Sequence, residues 1–254
     1  MKLQNKKAEK EFFDRFDKEG GYDVLEKSGY EKFIDFMKSK INPSKKLVIL
    51  DMGCGSGVFT SFIKKAFKNS KVIGVDISKG CIERARKEYP KIEFVIDDVE
   101  KTKFKSNSVD VIWYSGILHH FPDFTKVATE AFRLLKPGGL FFSYDPNFFN
   151  PAFWLYRHPK SPFYSNVGIT KNERLLKGSE IQKVFKEAGF NTEVKVISGI
   201  KFKYVENKKT RSLLSIYNLA DKLLAMTPFS TMIGAFLVGY GRKNRFSVSR
   251  YQEI

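Results

Sequence analysis

One acid and three alternating glycines are the clearest candidates for chemistry in this sequence. Asp51, Gly53, Gly55 and Gly57 follow an apolar run at residues 47–50 and precede a helix-like stretch at residues 58–67. The apolar run predicts a buried parallel strand. A strand that turns through glycine into a helix brings bare backbone close to a ligand, because a Cβ would block the approach or the positive φ of the turn.

The spacing of this glycine loop narrows the class of ligand. A dinucleotide fingerprint needs a small residue where this chain has Val58, and a phosphate-binding loop needs a Lys after Gly57, which is absent. Asp51 lies at the mouth of the turn, where a carboxylate repels a pyrophosphate and attracts a positive charge. We therefore expect a nucleoside-like ligand that is cationic or zwitterionic.

Further polar side chains follow the next apolar runs. Asp76 comes about 20 residues after the glycine turn, where an acid can accept hydrogen bonds from both hydroxyls of a ribose, although a helix N-cap is an alternative role. Asp97 and Asp98 follow the run at residues 94–96. His119 and His120 come after the run at residues 109–114, and histidine titrates near neutral pH, as a general base should.

The order of these elements is typical of one family. Residues 51–57 read DMGCGSG, LHH stands at residues 118–120, and LKPGG at residues 135–139 precedes a fifth strand-like run. DMGCGSG matches the motif D-x-G-C-G-x-G at every fixed position, and the later elements follow at the family's usual intervals. Over roughly residues 45–147 the chain resembles the class I S-adenosylmethionine-dependent methyltransferases, in the style of their small-molecule, quinone and lipid enzymes.

The resemblance implies S-adenosylmethionine as cofactor and S-adenosylhomocysteine as product. The three glycines would meet the methionine part, with Asp51 balancing its ammonium directly or through water. Asp76 would hold the ribose, and Ile77 would pack on the adenine face. Asp98, beside the Val99 backbone, is preferred to Asp97 as acceptor for the adenine amine. The expected cofactor-binding residues are therefore Asp51, Gly53, Gly55, Gly57, Asp76, Ile77, Asp98, Val99 and Tyr114.

Methyl transfer itself requires little acid–base chemistry, because the sulfonium is already activated and catalysis is mostly proximity and desolvation. An oxygen or nitrogen nucleophile can still require a base. His119 and His120 are the candidates, with His119 ahead because it is nearer the strand end; the alternative is that both pack or cap the following helix. Tyr114, Asp145 and Asn147 are further candidates for orienting the acceptor.

Composition limits the remaining possibilities. The chain has 254 residues and 42% hydrophobic residues, enough for a full core. Its two cysteines exclude a disulfide framework and lie in no metal-ligand spacing, so we expect no metal. Without a signal peptide or an apolar span, a reducing, cytoplasmic setting is expected. The net charge of +17 attracts polyanions such as nucleic acid or anionic lipid, or simply solvates the surface.

The alternation of strand-like and helix-like segments predicts one α/β domain with a Rossmann-like, seven-stranded sheet and helices on both faces. The family places its last strand antiparallel. We expect an N-terminal helical cap at residues 1–45, broken at Gly20 and Gly21, and a cofactor-binding core at residues 46–147. An acceptor-side region would fill residues 148–254, with its last strands near residues 192–197 and 236–240.

A helical insert at about residues 201–234 precedes the last strand. Its apolar residues predict one amphipathic helix ended by Pro228, with Leu213, Ile216, Tyr217, Ala220, Leu223 and Leu224 on one face. We interpret it as a lid over the acceptor site. Peripheral contact with a membrane surface is an alternative, because the helix is flanked by Lys208, Lys209, Arg211 and Lys222. Core packing or a dimer face is a third interpretation.

Aromatic residues after the fifth strand favour a small, lipophilic or aromatic acceptor of the quinone, lipid or glycan class, methylated on O, N or C. The alternative is an RNA methyltransferase that uses the basic C-terminal region, where residues 195–254 hold 11 basic and 3 acidic residues. Nucleic acid is less favoured because no known RNA-binding module is appended. A non-catalytic S-adenosylmethionine-binding protein is a second alternative.

Overall fold

The computed structural model describes residues 4–18, 23–165, 169–204 and 208–244 of the chain. The break predicted at Gly20 and Gly21 lies outside the described residues. The helices are α1 (Lys6–Lys18), α2 (Lys27–Lys38), α3 (Val58–Ala66), α4 (Lys79–Glu88), α5 (Thr125–Leu134), α6 (Pro151–Arg157), α7 (Gly178–Glu187), α8 (Lys208–Ser212), α9 (Leu214–Leu224) and α10 (Ser230–Ile233). The strands are β1 (Val48–Met52), β2 (Lys71–Asp76), β3 (Glu93–Ile96), β4 (Val109–Ser115), β5 (Leu135–Pro146), β6 (Phe190–Ile197) and β7 (Phe236–Lys243).

The strands form a single sheet in the order β3-β2-β1-β4-β5-β7-β6. The five strands from β3 to β5 pair in parallel, whereas β7 runs antiparallel to both of its neighbours, β5 and β6. This confirms the predicted Rossmann-like sheet with an antiparallel last strand. The strand order reverses between β1 and β4, and in open α/β sheets ligands bind at that point, beyond the carboxyl ends of the strands.

Apolar layers cover both faces of the sheet. On one face Phe141 of β5 stacks on Phe185 of α7 with ring centroids 3.8 Å apart. On the other face Trp113 of β4 stacks on Phe142 at 5.2 Å, and Phe33 of α2 stacks on Tyr144 at 4.4 Å. Alternate residues of each central strand therefore supply opposite layers, which holds the strand ends rigidly in place.

The start of β5 is irregular. Helix α5 ends at Leu134, and β5 begins directly afterwards at Leu135. Leu135 pairs with Val109 and Leu140 with Val111, so the intervening residues form a bulge within the strand. Gly138 lies in this bulge with a φ of 81°, a conformation that glycine adopts without strain.

The insert also differs from the prediction. Its described residues form three short helices rather than one, and the six apolar residues predicted to share one face do not all do so. Tyr217 and Leu224 are partly buried, whereas Ile216 and Leu223 are 66% and 56% exposed. Hydrogen bonds from the backbone of residues 199–202 to Asn218 and Asp221 fix which side of α9 points inward. None of the helices in the described part of the chain is both long and apolar enough to span a bilayer.

Candidate active site

Two cavities meet at the carboxyl ends of the central strands. The first, here the acidic cavity, is lined by Asp76, Ile77, Asp98, Val99 and His120 together with residues of α1. The second, here the aromatic cavity, is lined by Tyr30, Phe59, His119, Tyr144, Tyr156 and Phe202, among others. Gly53, Gly55, Ser115 and Gly116 line both. The glycine loop after β1 and the end of β4 therefore form the boundary between the cavities.

The glycine loop has the geometry that its sequence predicts. Gly53 and Gly55 have φ of 73° and 51°, a region that side chains rarely adopt. A Cβ on Gly53 would lie 1.9 Å from Ile117 Cγ2, so the loop packs too tightly there for any side chain. A Cβ on Gly55 would meet nothing within 4 Å and would project into the shared space of the two cavities. Backbone is therefore exposed to a ligand at Gly55, as the chemistry of a bound cofactor requires.

Asp76 lies at the end of β2 and lines the acidic cavity. Its two carboxylate oxygens accept hydrogen bonds from the backbone N–H groups of Gly55 and Ser78, both at 2.9 Å. Burial raises its pKa, although these N–H groups favour the ionised form. Ser78, not Asp76, is the N-cap of α4, since its Oγ accepts from Cys81 N at 3.1 Å. The carboxylate retains lone pairs for ligand hydroxyls.

The two acids after β3 lie in different surroundings. Asp97 accepts hydrogen bonds from the backbone N–H groups of Asp98 and Lys103, both at 2.9 Å, and so holds the loop. Asp98 lines the acidic cavity and accepts from Lys6 Nζ at 2.5 Å and from Glu100 N at 3.0 Å. Ile77 and Val99 line the same cavity and give it apolar surface. Of the two acids, Asp98 therefore has the position that a purine amine could reach.

Asp51 is fully buried beneath the glycine loop and lines neither cavity. One oxygen accepts from Thr60 Oγ1 at 2.6 Å and the other accepts from Ser115 Oγ. Burial raises its pKa to about 6, while the two hydroxyl donors oppose that shift. The predicted contact with a ligand ammonium would therefore run through Ser115, whose side chain lies between Asp51 and both cavities.

Helix α1 forms one wall of the acidic cavity. Lys6 pairs with Asp98 and Glu100, and Asp14 accepts from Ser78 Oγ and from Gly80 N. These contacts tie α1 to the loops after β2 and β3. Through these contacts α1 covers the acidic cavity, as expected of an N-terminal helical cap. The division of the chain into residues 1–45, 46–147 and 148–254 stays a prediction.

His120 belongs to the α1 side of the site. It lines the acidic cavity, and its Nδ1 forms an ion pair with Glu9 at 3.2 Å. Burial opposes its charge, but the hydrogen bond that the ring donates to Glu9 and the charges of Glu173, Glu9 and Asp145 raise its pKa overall. The ring also packs edge-on against Phe13 at 5.4 Å. An imidazole engaged with Glu9 holds α1 in place and is poorly placed to accept a proton from an acceptor.

His119 points the other way and lines the aromatic cavity. Its Nδ1 lies 2.9 Å from Asp145 Oδ1, which also accepts from the His119 backbone N–H at 3.1 Å. Burial, together with the positive charges of His120, Arg157 and Arg174, holds the His119 pKa well below its usual range. The imidazole is therefore neutral at neutral pH, with Nδ1 fixed by Asp145 and Nε2 left for a further partner.

Three sequence candidates have other positions. Tyr114 lines neither cavity: its ring lies in the core, and its hydroxyl donates to Val127 O at 3.1 Å. The alternation along β4 explains this, because Tyr114 points into the α5–α7 layer, while Ser115 at the strand end faces the cavities. Asn147 is buried and donates to Met232 O and Gly234 O, so it fastens α10. Asp145 supports His119 and does not line either cavity.

Sequence reasoning missed most of the aromatic cavity. Tyr30 comes from α2, Tyr156 and Arg157 from α6, and Glu173 and Arg174 from the loop before α7. No spacing in the sequence connects these segments, so no motif could have indicated them. His119, His120 and Glu173 also bring potential metal-ligand atoms within 4.8 Å of one another among the described residues. The three side chains form the wall where the cavities adjoin.

Comparisons with known proteins agree with this geometry. Residues 50–143 match the family described as "Methyltransferase domain". The chain is 28% identical over 147 residues to a probable S-adenosylmethionine-dependent methyltransferase of Mycolicibacterium smegmatis, covering 57% of this chain and 52% of that protein. It is 32% identical over 165 residues to the demethylmenaquinone methyltransferase of Lactococcus lactis, covering 57% of this chain and 66% of that protein. The chain thus spans about half to two thirds of these relatives.

A solved structure extends the likeness of the fold over nearly the whole chain. An S-adenosylmethionine-dependent methyltransferase of Thermotoga maritima, titled a possible histamine N-methyltransferase, superposes with a TM-score of 0.60. The superposition covers 92% of this chain and 99% of that one at 21% identity. At this identity the likeness concerns the fold, which includes the acceptor side beyond residue 143.

Proposed function

We propose that this chain methylates a small, lipophilic or aromatic acceptor of the quinone, lipid or glycan class. The chain belongs to the class I S-adenosylmethionine-dependent methyltransferases and has S-adenosylmethionine as its cofactor. One observation carries the proposal. The aromatic cavity contains His119, which Asp145 holds in place, and the acidic cavity contains Asp76 and Asp98. Both cavities open onto the same glycine loop.

The acidic cavity fits the cofactor. Asp76 would accept from the ribose hydroxyls, and Asp98 with Ile77 and Val99 would surround the adenine. The open space at Gly55 admits the methionine part, and Ser115, held by Asp51, lies beside it. When bound, the cofactor supplies a methyl group already activated on a sulfonium.

The aromatic cavity would receive the acceptor. Its walls carry flat rings from separate elements, including Tyr30, Phe59 and Tyr144. Such rings stack on a planar acceptor and exclude water from the reacting atoms, which is most of what the transfer requires. The demethylmenaquinone methyltransferase among the relatives supports a quinone-like acceptor. The protein's part is to align the nucleophile with the methyl group at the boundary formed by Gly55, Ser115 and Gly116.

His119 would act as general base for an acceptor whose nucleophile carries a proton. Its neutral imidazole can take that proton at Nε2, while Asp145 holds Nδ1 in place. With that proton removed, the nucleophile would be ready to take the methyl group that the bound cofactor supplies. A positioned base of this kind contributes about 10² to 10⁴-fold to the rate.

The acceptor class is tested by incubating the purified protein with cofactor labelled on its methyl group. The substrates offered separately are a demethylated quinone, a lipid extract, an oligosaccharide extract and total RNA. We expect label in the quinone, lipid or glycan sample, and its loss with His119→Gln. Label in RNA alone would overturn the acceptor proposal, and binding of S-adenosylhomocysteine without label in any sample would favour a non-catalytic binding protein.

A further inference from the structure

A continuous stripe of apolar side chains lies exposed on the insert. Its members are Leu213, Ile216, Leu219, Leu223, Met226, Phe229 and Met232, here called the outer face. Each is between 56% and 80% exposed. They recur every three or four residues, so within α9 they lie along one side of the helix. Single exposed apolar residues are common on soluble proteins, but a contiguous patch of this kind marks an interaction surface.

The outer face cannot be buried by a simple rotation of α9. Asn218 exchanges two hydrogen bonds with the Phe202 backbone, at 2.9 and 2.7 Å. Asp221 accepts from Gly199 N at 2.6 Å and from Ile200 N at 3.0 Å. Rotation would leave these buried polar groups without partners, which is unfavourable. Asn218 and Asp221 therefore fix the inner side of α9, and the apolar stripe is held facing outward.

The surroundings of the outer face are positive. Residues 201–234 contain six Lys or Arg and two acidic residues, and two of the six, Lys201 and Lys203, pair with Glu26 and Asp23 of the N-terminal region. One of the two acids is Asp221, which is buried on the inner side of α9. Lys208 and Arg211 precede the stripe and Lys222 lies within α9, all three exposed. Long basic side chains beside an apolar stripe can reach anionic headgroups while the stripe enters the acyl boundary.

We propose that the outer face docks the protein peripherally on an anionic lipid bilayer. The combination of an apolar stripe and basic flanks matches the apolar interior and negative surface of such a membrane. A second copy of the chain fits less well, because isologous contact would bring the same basic flanks together. Phe202 and Tyr204, which line the aromatic cavity, lie in the segment that leads to α8. Docking would thus bring a wall of the acceptor cavity near the lipid.

Vesicle flotation tests this proposal without any turnover, so its outcome is independent of the proposed function. Vesicles of phosphatidylcholine alone are compared with vesicles in which phosphatidylglycerol replaces half of it. We expect the protein to float with the anionic vesicles and to be released by salt. Ile216→Gln with Leu223→Gln should weaken binding about 100-fold, since each buried aliphatic side chain contributes on the order of tenfold. Lys208→Gln with Lys222→Gln should weaken it about fivefold for each charge removed.

Matched controls lie at the opposite edge of the sheet. Ile96→Gln on β3 removes a partly exposed apolar side chain, and Lys87→Gln on α4 removes an exposed charge; neither should change flotation. Circular dichroism checks that every variant is folded. Absence of binding to anionic vesicles would overturn the proposal, as would binding that the Ile216 and Leu223 substitutions leave intact. A sedimentation dimer that those substitutions dissociate, without vesicle binding, would reassign the outer face to self-association.

Discussion

The acidic cavity and the aromatic cavity meet at one loop but are assembled in different ways. Apart from α1, the acidic cavity is built from residues between Gly53 and Phe121, most of them just past a strand end. The aromatic cavity draws on segments from Val24 to Phe236. The residues proposed to bind the nucleoside are thus local to strand ends spaced along the chain, whereas the aromatic cavity exists only after distant segments have packed together.

The match to the methyltransferase family also covers one part of the chain and not the other. The match to the methyltransferase family ends at residue 143, before Asp145 and before every helix of the acceptor side. A shared cofactor restrains the first half, since the same ribose and sulfonium must be held. If the region after residue 143 contacts the acceptor, as proposed, its residues are free to differ between enzymes with different acceptors while the fold persists.

Loss of Asp76 should have the largest effect, and only on the acidic cavity. In Asp76→Ala two charge-assisted hydrogen bonds to the ribose disappear, each contributing about 1.5 to 3 kcal/mol. We expect the affinity for S-adenosylhomocysteine, measured by calorimetry, to fall about 10³-fold. Asp123→Ala, which removes an acid outside both cavities, is the matched control. Unchanged affinity in Asp76→Ala would mean that the nucleoside lies elsewhere.

The substitution His119→Gln should distinguish the roles of the two cavities, because kcat and cofactor affinity are measured separately. Loss of the base should lower kcat about 10²-fold, at the lower end of the range for a positioned base. Affinity for S-adenosylhomocysteine should be unchanged, because His119 lines only the aromatic cavity. His120→Gln should do the reverse and weaken cofactor binding through α1. Equal losses of both quantities in both variants would remove the distinction drawn between the histidines.

The pH profile gives a smaller effect with a definite sign. A general base works in its deprotonated form, and burial lowers the His119 pKa well below its usual 6.5. The fraction of active enzyme should therefore stay constant as pH falls through 6.5 and decline only well below it. The measurement is kcat between about pH 5 and 8. A decline centred at or above 6.5 would contradict the assignment of a neutral, buried base.

Sequence patterns predicted the parts of the molecule that depend on local order. The strand runs follow from periodicity, and the positive φ of the glycine loop follows from its glycine spacing. The choice of Asp98 over Asp97, made from the family resemblance, stays a prediction. Strand alternation, which the sequence already contains, turns Tyr114 into the core, whereas tertiary contacts of Asn218 and Asp221 orient α9. Asp145 appeared as an acceptor contact, yet its side chain supports His119.

A substitution in the wall of the aromatic cavity should lower activity on the acceptor and leave cofactor affinity unchanged. Ile169 lines the aromatic cavity and is partly buried. Ile169→Ala removes a few methylenes from an apolar contact, which corresponds to a loss of about tenfold in kcat/KM for a lipophilic acceptor. The affinity for S-adenosylhomocysteine should not change. A comparable loss of cofactor affinity would show that the two cavities are coupled.

Lys6→Ala should have the smallest effect. Its ion pair with Asp98 is partly exposed, at 35% and 33% for the two side chains, and such pairs contribute about 0 to 1 kcal/mol. The cofactor affinity should change by less than about fivefold, and less still at high salt. A change as large as that of Asp76→Ala would move the main recognition from the acids to α1.

A crystal structure of the protein with S-adenosylhomocysteine tests the division between the two cavities most directly. We expect both ribose hydroxyls within hydrogen-bonding distance of the Asp76 carboxylate and the adenine beside Asp98. The sulfur should lie at Gly55 and Ser115, facing His119 across the aromatic cavity. Adenosine bound among the rings of the aromatic cavity, or a sulfur turned away from His119, would contradict it.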